Sequence, residues 1–151
     1  MAIRREYARI CDELQLKGVD VMIFLTDCDT ADWRVVQRNE RDRFPAERLE
    51  LSVHGVADRN IECWICVEAD YIAGRLQIEA RVLRVADPKG VFQAAMRITR
   101  DDRKEVEIAA LVREAPLHRW LREPSFEDFY EQLRDKSARL GCQMENLRER
   151  R

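Results

Sequence analysis

The 151-residue sequence predicts an α/β fold, a small parallel sheet flanked by helices with a helical C-terminal half, and three features carry that prediction. Val19-Asp20-Val21-Met22-Ile23-Phe24-Leu25 is an apolar run too short for a buried helix and suited to a parallel strand covered on both faces. Leu49, Leu51 and Val53 alternate with polar residues, the pattern of a second strand ending at His54-Gly55. A charged helical stretch lies between them, so the order is helix, strand, helix, strand, and a right-handed crossover makes the two strands parallel.

The remaining elements follow from spacing and punctuation. Ile3, Tyr7, Ile10, Cys11 and Leu14 recur at helical intervals, and Gly18 stands where a left-handed residue ends a helix over residues 3–16. Residues 31–43 read as the crossover helix, closed by Pro45. A third helix starts at Asp58 or Asn60, either of which can cap it, and runs through Ile61-Glu62-Cys63-Trp64-Ile65-Cys66-Val67. Residues 76–86 fit helix or strand. Asp87-Pro88 opens the next helix and Asp101-Asp102 another. Ser125 with Asp128 resembles a capping box ahead of Phe126, Phe129, Tyr130 and Leu133, in a helix closed by Gly141. The chain is read as one domain, with an α/β part over residues 1–75, a helical part over 87–141 and a frayed, charged tail over 142–151.

Composition sets the bounds. Hydrophobic residues make up 46% and charged residues 37%, a globular composition. The net charge of -2 provides no global attraction to nucleic acid, so phosphate contacts would be local. Arginine outnumbers lysine 23 to 4, which suits bidentate phosphate pairing but also follows from biased codon usage. Nothing approaches the roughly 20 apolar residues of a membrane helix, and MAIRREYARI lacks the apolar core of a signal peptide. A cytoplasmic location with no membrane association is expected. Five cysteines without framework spacing are expected to be reduced thiols.

In an open parallel sheet, ligands bind beyond the carboxyl ends of the strands. Asp27 and Asp29 stand at that end of the first strand. A D-x-D there aims two carboxylates into one volume, where a cation or proton offsets their repulsion, and magnesium suits because it takes few carboxylates and keeps waters that a phosphate can replace. The alternative is that Asp29 or Asp32 caps the next helix. Glu62 among apolar residues is a further metal ligand, or else it answers the dipole of its helix or binds Arg59. Arg34, Arg38 and Arg41 follow the acidic loop at helical spacing, either as a nucleic-acid contact or as a solvated face. Cys63-x-x-Cys66 lies inside an apolar run and reads as core, and neither His54 nor His118 is assigned a role.

The segments Phe24-Leu25-Thr26-Asp27-Cys28-Asp29, Arg59-Asn60-Ile61-Glu62-Cys63-Trp64, Asp87-Pro88-Lys89-Gly90 and Pro124-Ser125-Phe126 resemble, in order, a family of Toprim-like proteins. That family is related to RloB and the OLD nucleases and is often encoded beside ATPases in bacterial defence loci. The resemblance implies a metal-dependent nuclease, or a nuclease subunit of an anti-phage complex. Asp27 and Asp29 match its acidic pair, Glu62 its glutamate and Lys89 the lysine of a later motif, with Mg²⁺ or Mn²⁺ as cofactor. A partner ATPase or a homodimer, and nucleic acid, are the expected partners. Toprim domains open with a strand ending in a glutamate, and neither Glu6 nor Glu13 matches it, so the sheet is expected to be incomplete. Residues 76–86, a second copy or a partner chain would then cover the open edge of the first strand. Asp27-Cys28-Asp29-Thr30 also resembles the first motif of haloacid dehalogenase-type phosphatases, with Asp27 as nucleophile, Asp29 as acid/base, and Lys89 with Asp101 or Asp102 completing the site. A third reading is a non-catalytic subunit that binds a partner.

Overall fold

A computed structural model describes residues 2–97 and 101–149, without the side chains of residues 2–7 and 101–105. The packing expected of Ile3 and Tyr7, the side chain of Glu6, and the carboxylates of Asp101 and Asp102 therefore lie outside the described residues.

The chain is α/β, as predicted. Helix α1 (Ala2–Leu16) ends where Gly18 takes φ +74° and donates its N–H to Gln15 O. Strand β1 is Met22–Asp27, three residues later than the start of the apolar run. Helix α2 (Trp33–Arg41) is capped by Asp32, whose side chain accepts Arg34 N–H. Pro45 does more than close that stretch, since its fixed φ leads a one-turn helix α3 (Ala46–Leu49). Leu49 consequently belongs to a helix, and strand β2 is shifted to Ser52–Ala57. The strands pair in parallel, Met22 opposite Ser52 through Asp27 opposite Ala57.

Burial reverses the expectation for the two strands. Every residue of β2 is buried, whereas β1 is an edge strand with Ile23 49% and Leu25 54% exposed. The apolar run Val21–Leu25 therefore reflects one covered face and one open face. On the covered face Met22 and Phe24 pack with Cys11, Leu14 and Phe44. On the other face Gly55 lies so close to Leu25 and Phe129 that a Cβ there would sit 2.6 and 2.7 Å from their carbons.

Asn60 caps helix α4 (Ile61–Ile65) by accepting Cys63 N–H. A 3₁₀ turn (Cys66–Glu68) continues into α5 (Ala69–Leu76). Residues 76–86 add no strand; they hold a second 3₁₀ turn at Ala80–Val82 that buries Leu83. Helices α6 (Lys89–Ala95), α7 (Asp101–Arg113), α8 (Leu117–Trp120) and α9 (Pro124–Arg139) complete the chain. Trp64, Ile72, Leu83, Phe92, Trp120 and Phe126 form the main core between them.

Two local expectations change. The cap of α9 is Glu123, which accepts Ser125 N–H with Pro124 in the first turn, so Ser125 and Asp128 are free for other bonds. The tail also docks: Tyr130 Oη donates to Glu145 O and accepts Leu147 N–H, and Met144 and Leu147 pack on the core. Among the described residues no helix is long and apolar enough to cross a membrane.

Candidate functional site

The carboxyl ends of both strands open into one surface, as a parallel pair requires. Asp27 is the last residue of β1, and its Oδ1 accepts the Ile61 N–H at 3.0 Å, at the start of α4. Its Oδ2 lies 3.8 Å from Lys89 Nζ, in the first turn of α6. Two segments far apart in sequence thus meet on one carboxylate. Both side chains are more than a third exposed, so the pair contributes about 0–1 kcal/mol and its significance is positional.

The loop is held open by backbone bonds. Asp29 adopts φ +52° and Arg59 φ +66°, left-handed values that Asp tolerates better than most residues. Asp29 N–H donates to Arg59 O at 2.8 Å, which ties the loop after β1 to the loop after β2. Cys28 is the buried pin between them: its N–H donates to Ala57 O, its Sγ accepts Arg59 N–H and its thiol faces Ala31 O. Burial, the largest cause, raises the Cys28 thiol above its usual range, which leaves it protonated and structural.

Asn60, Asp58 and Asp87 also belong to this surface, and the sequence motifs did not single them out as site residues. Asn60 Nδ2 donates to Asp87 Oδ1, which also accepts Lys89 N–H. The Asn60 bond, then that backbone bond, lower the Asp87 carboxyl below its usual range. Asp87 therefore fixes the approach of Lys89 to Asp27. Asp58 N–H donates to Ser125 Oγ, which also accepts the Trp64 indole N–H at 2.7 Å. The Asp87-Pro88 and Pro124-Ser125 signals thus mark positioning bonds rather than capping alone.

Glu62 is placed differently from Asp27 and Asp29. It is 1% exposed, in the first turn of α4, and its Oε1 accepts Gln93 Nε2 at 2.7 Å. Among the described residues no three His, Cys, Asp or Glu side chains are grouped to hold a metal ion. Asp27 and Asp29 supply oxygen donors of the kind Mg²⁺ accepts alongside water and phosphate, while Glu62 is committed to Gln93.

Arg34, Arg38 and Arg41 are exposed on α2. They line a separate groove of about 530 Å³ together with Trp33, Gln37 and Asp128. Arg34 lies over the Trp33 ring at 4.4 Å. A polar cavity of about 470 Å³ has Asp58, Arg59, Cys63, Arg84 and Arg122 in its wall. Cys66 is buried and its thiol is pushed up to about 12 by burial, which suits the core role read from its neighbours. His54 is buried between Phe24 and Phe44, with Nε2 2.9 Å from Ser52 Oγ. Comparison with protein-family models, curated proteins and solved structures yields no match, so the chemistry of these residues has to carry the functional reading.

Proposed function

We propose that the chain acts on a phosphodiester of nucleic acid, as a nuclease or as the nuclease subunit of a bacterial anti-phage complex that includes an ATPase. The supporting observation is the meeting of Asp27 with Lys89 at the carboxyl ends of two parallel strands, beside Asp29. A cation next to a carboxylate at this place suits a phosphate: lysine answers its charge, and the aspartates face the reacting oxygens. Asp27 and Asp29 would hold Mg²⁺ or Mn²⁺, which would neutralise charge on the phosphate. Glu62, whose Oε1 is bonded to Gln93, would reach such an ion through its other carboxylate oxygen. Arg34, Arg38 and Arg41 would carry the flanking backbone along α2.

The test is nicking of supercoiled DNA and cleavage of RNA by the purified chain, alone and with the product of its genomic neighbour, in Mg²⁺ or Mn²⁺. Asp27→Asn is expected to remove activity, and Lys89→Ala to reduce it at least tenfold, without changing the circular dichroism spectrum. Activity that persists in Asp27→Asn defeats the reading. The same Asp27–Lys89 pair favours one rival, a phosphatase with Asp27 as nucleophile. Turnover of a small phosphomonoester with a trapped aspartyl-phosphate at Asp27 would select it.

A further inference from the structure

The two edges of the sheet are built differently. At β2 the outward-facing backbone of His54 is closed by side chains: its N–H donates to Gln132 Oε1, and its carbonyl accepts Gln132 Nε2 and Gln37 Nε2. At β1, Met22 N–H donates to Leu51 O and Cys28 N–H to Ala57 O. The parallel register therefore turns the backbone of Met22, Phe24 and Thr26 toward β2, and that of Ile23, Leu25 and Asp27 away from it. Among the described residues no strand lies on that side.

Among the described residues this edge is left open. Natural edge strands carry lysine, proline or a bulge, and Met22–Asp27 has none of these. Ile23 and Leu25 are half exposed on one face, and Leu25 forms part of an apolar trough of about 870 Å³ with Ile61, Trp64, Phe129 and Leu133. Backbone donors and acceptors in strand order, beside aliphatic side chains on one face, are complementary to another polypeptide strand.

The positions of the two aliphatic residues select the occupant. Ile23 and Leu25 stand on either side of Phe24. A second β1 running antiparallel about a two-fold axis at Phe24 sets Ile23 opposite Leu25 of the other copy, and Leu25 opposite its Ile23, as hydrogen-bonded pairs. All four side chains then share one face, over both troughs. The alternative register, centred on Leu25, sets Ile23 against Asp27 and loses that match. We propose that the chain forms a two-fold dimer through antiparallel pairing of β1 with β1, giving a four-stranded sheet in the order β2-β1-β1-β2 with the glutamine-closed edges outermost. The same register continues to Asp20 of the second copy opposite Cys28, so the turn before its β1 borders the Asp27–Asp29 loop.

Sedimentation of the full chain from low to high micromolar concentration is expected to show twice the monomer mass. Ile23→Arg and Leu25→Arg, both at exposed positions, are expected to weaken the dimer about tenfold or more, equivalent to about 1.4 kcal/mol or more, with the circular dichroism spectrum unchanged. Ile23→Cys/Leu25→Cys in a Cys142→Ser background should oxidise to a covalent dimer on a non-reducing gel. A monomer at every concentration, including one that pairs only with a different protein, overturns the proposal. So does a dimer indifferent to both arginine variants.

Discussion

Lowering the pH should destabilise this protein through His54, and the size of the effect follows from its surroundings. The imidazole is 3% exposed, stacked on Phe24 and edge-on to Phe44. Burial, then the charges of Arg41 and Lys136, lower its pKa from 6.5 to about 4. A histidine with a depressed folded-state pKa is charged more readily when unfolded. Stability is therefore fully present above pH 6.5 and declines as pH falls from 6.5 toward 4. The full shift corresponds to about 3 kcal/mol, of which about 2 kcal/mol is lost by pH 5. Urea unfolding of the wild type and of His54→Gln, each at pH 8 and pH 5, isolates this from the carboxylates common to both. The wild type should lose about 2 kcal/mol more than the variant between the two pH values. Equal losses in both proteins would refute the assignment of the pH sensitivity to His54.

Other outcomes follow from packing and bonding. Gly55→Ala should lower stability by about 1–3 kcal/mol in denaturant titration, because its Cβ meets the Phe129 ring at 2.7 Å. Ser125→Ala should cost about 2–3 kcal/mol, since it strips the acceptor from both the Asp58 N–H and the buried Trp64 indole, and Trp64 fluorescence should shift with it. Gln132→Ala should cost about 1–3 kcal/mol by exposing the edge of β2 at His54, as read from the unfolding midpoint. With a disulfide reagent at pH 8, exposed Cys142 should react first, and Cys11, Cys28 and Cys66 only as fast as the protein opens.

The fold class was legible where sequence and local physics agree. Gly18, Asn60 and Gly141 mark helix ends through conformations or caps that depend on their own side chains, or on the lack of one. The strand boundaries were less legible, because Leu49 alternates like a strand residue yet follows a proline that starts a helical turn. Burial of β1 departs from the sequence pattern for a related reason: an apolar run is the same whether a neighbouring layer is present or absent. At the site, Asp27 and Lys89, which the motif resemblance sets side by side as expectations, lie 3.8 Å apart. Asp58, Asp87 and Ser125 were not identified as positioning residues, since bonds across 27 and 67 residues leave no local periodicity. Glu62 was recognised as a charged residue in an apolar run, but its compensation by Gln93 depends on how α6 packs.

The bond from Ser125 to the loop after β2 also bears on the order in which the molecule folds. The oxygen that receives Asp58 and Trp64 is supplied from 67 and 61 residues downstream, and the side chain that closes His54 from 78 residues downstream. A nascent chain that has made both strands and the acidic loop still lacks the parts that fasten them. The surface around the Asp27–Asp29 loop therefore matures late, only when α9 has emerged and docked. Contacts this distant slow folding, and they leave β2 unsealed during synthesis, when its apolar face is most open to aggregation. Refolding followed by Trp64 emission would thus trail the appearance of helical structure.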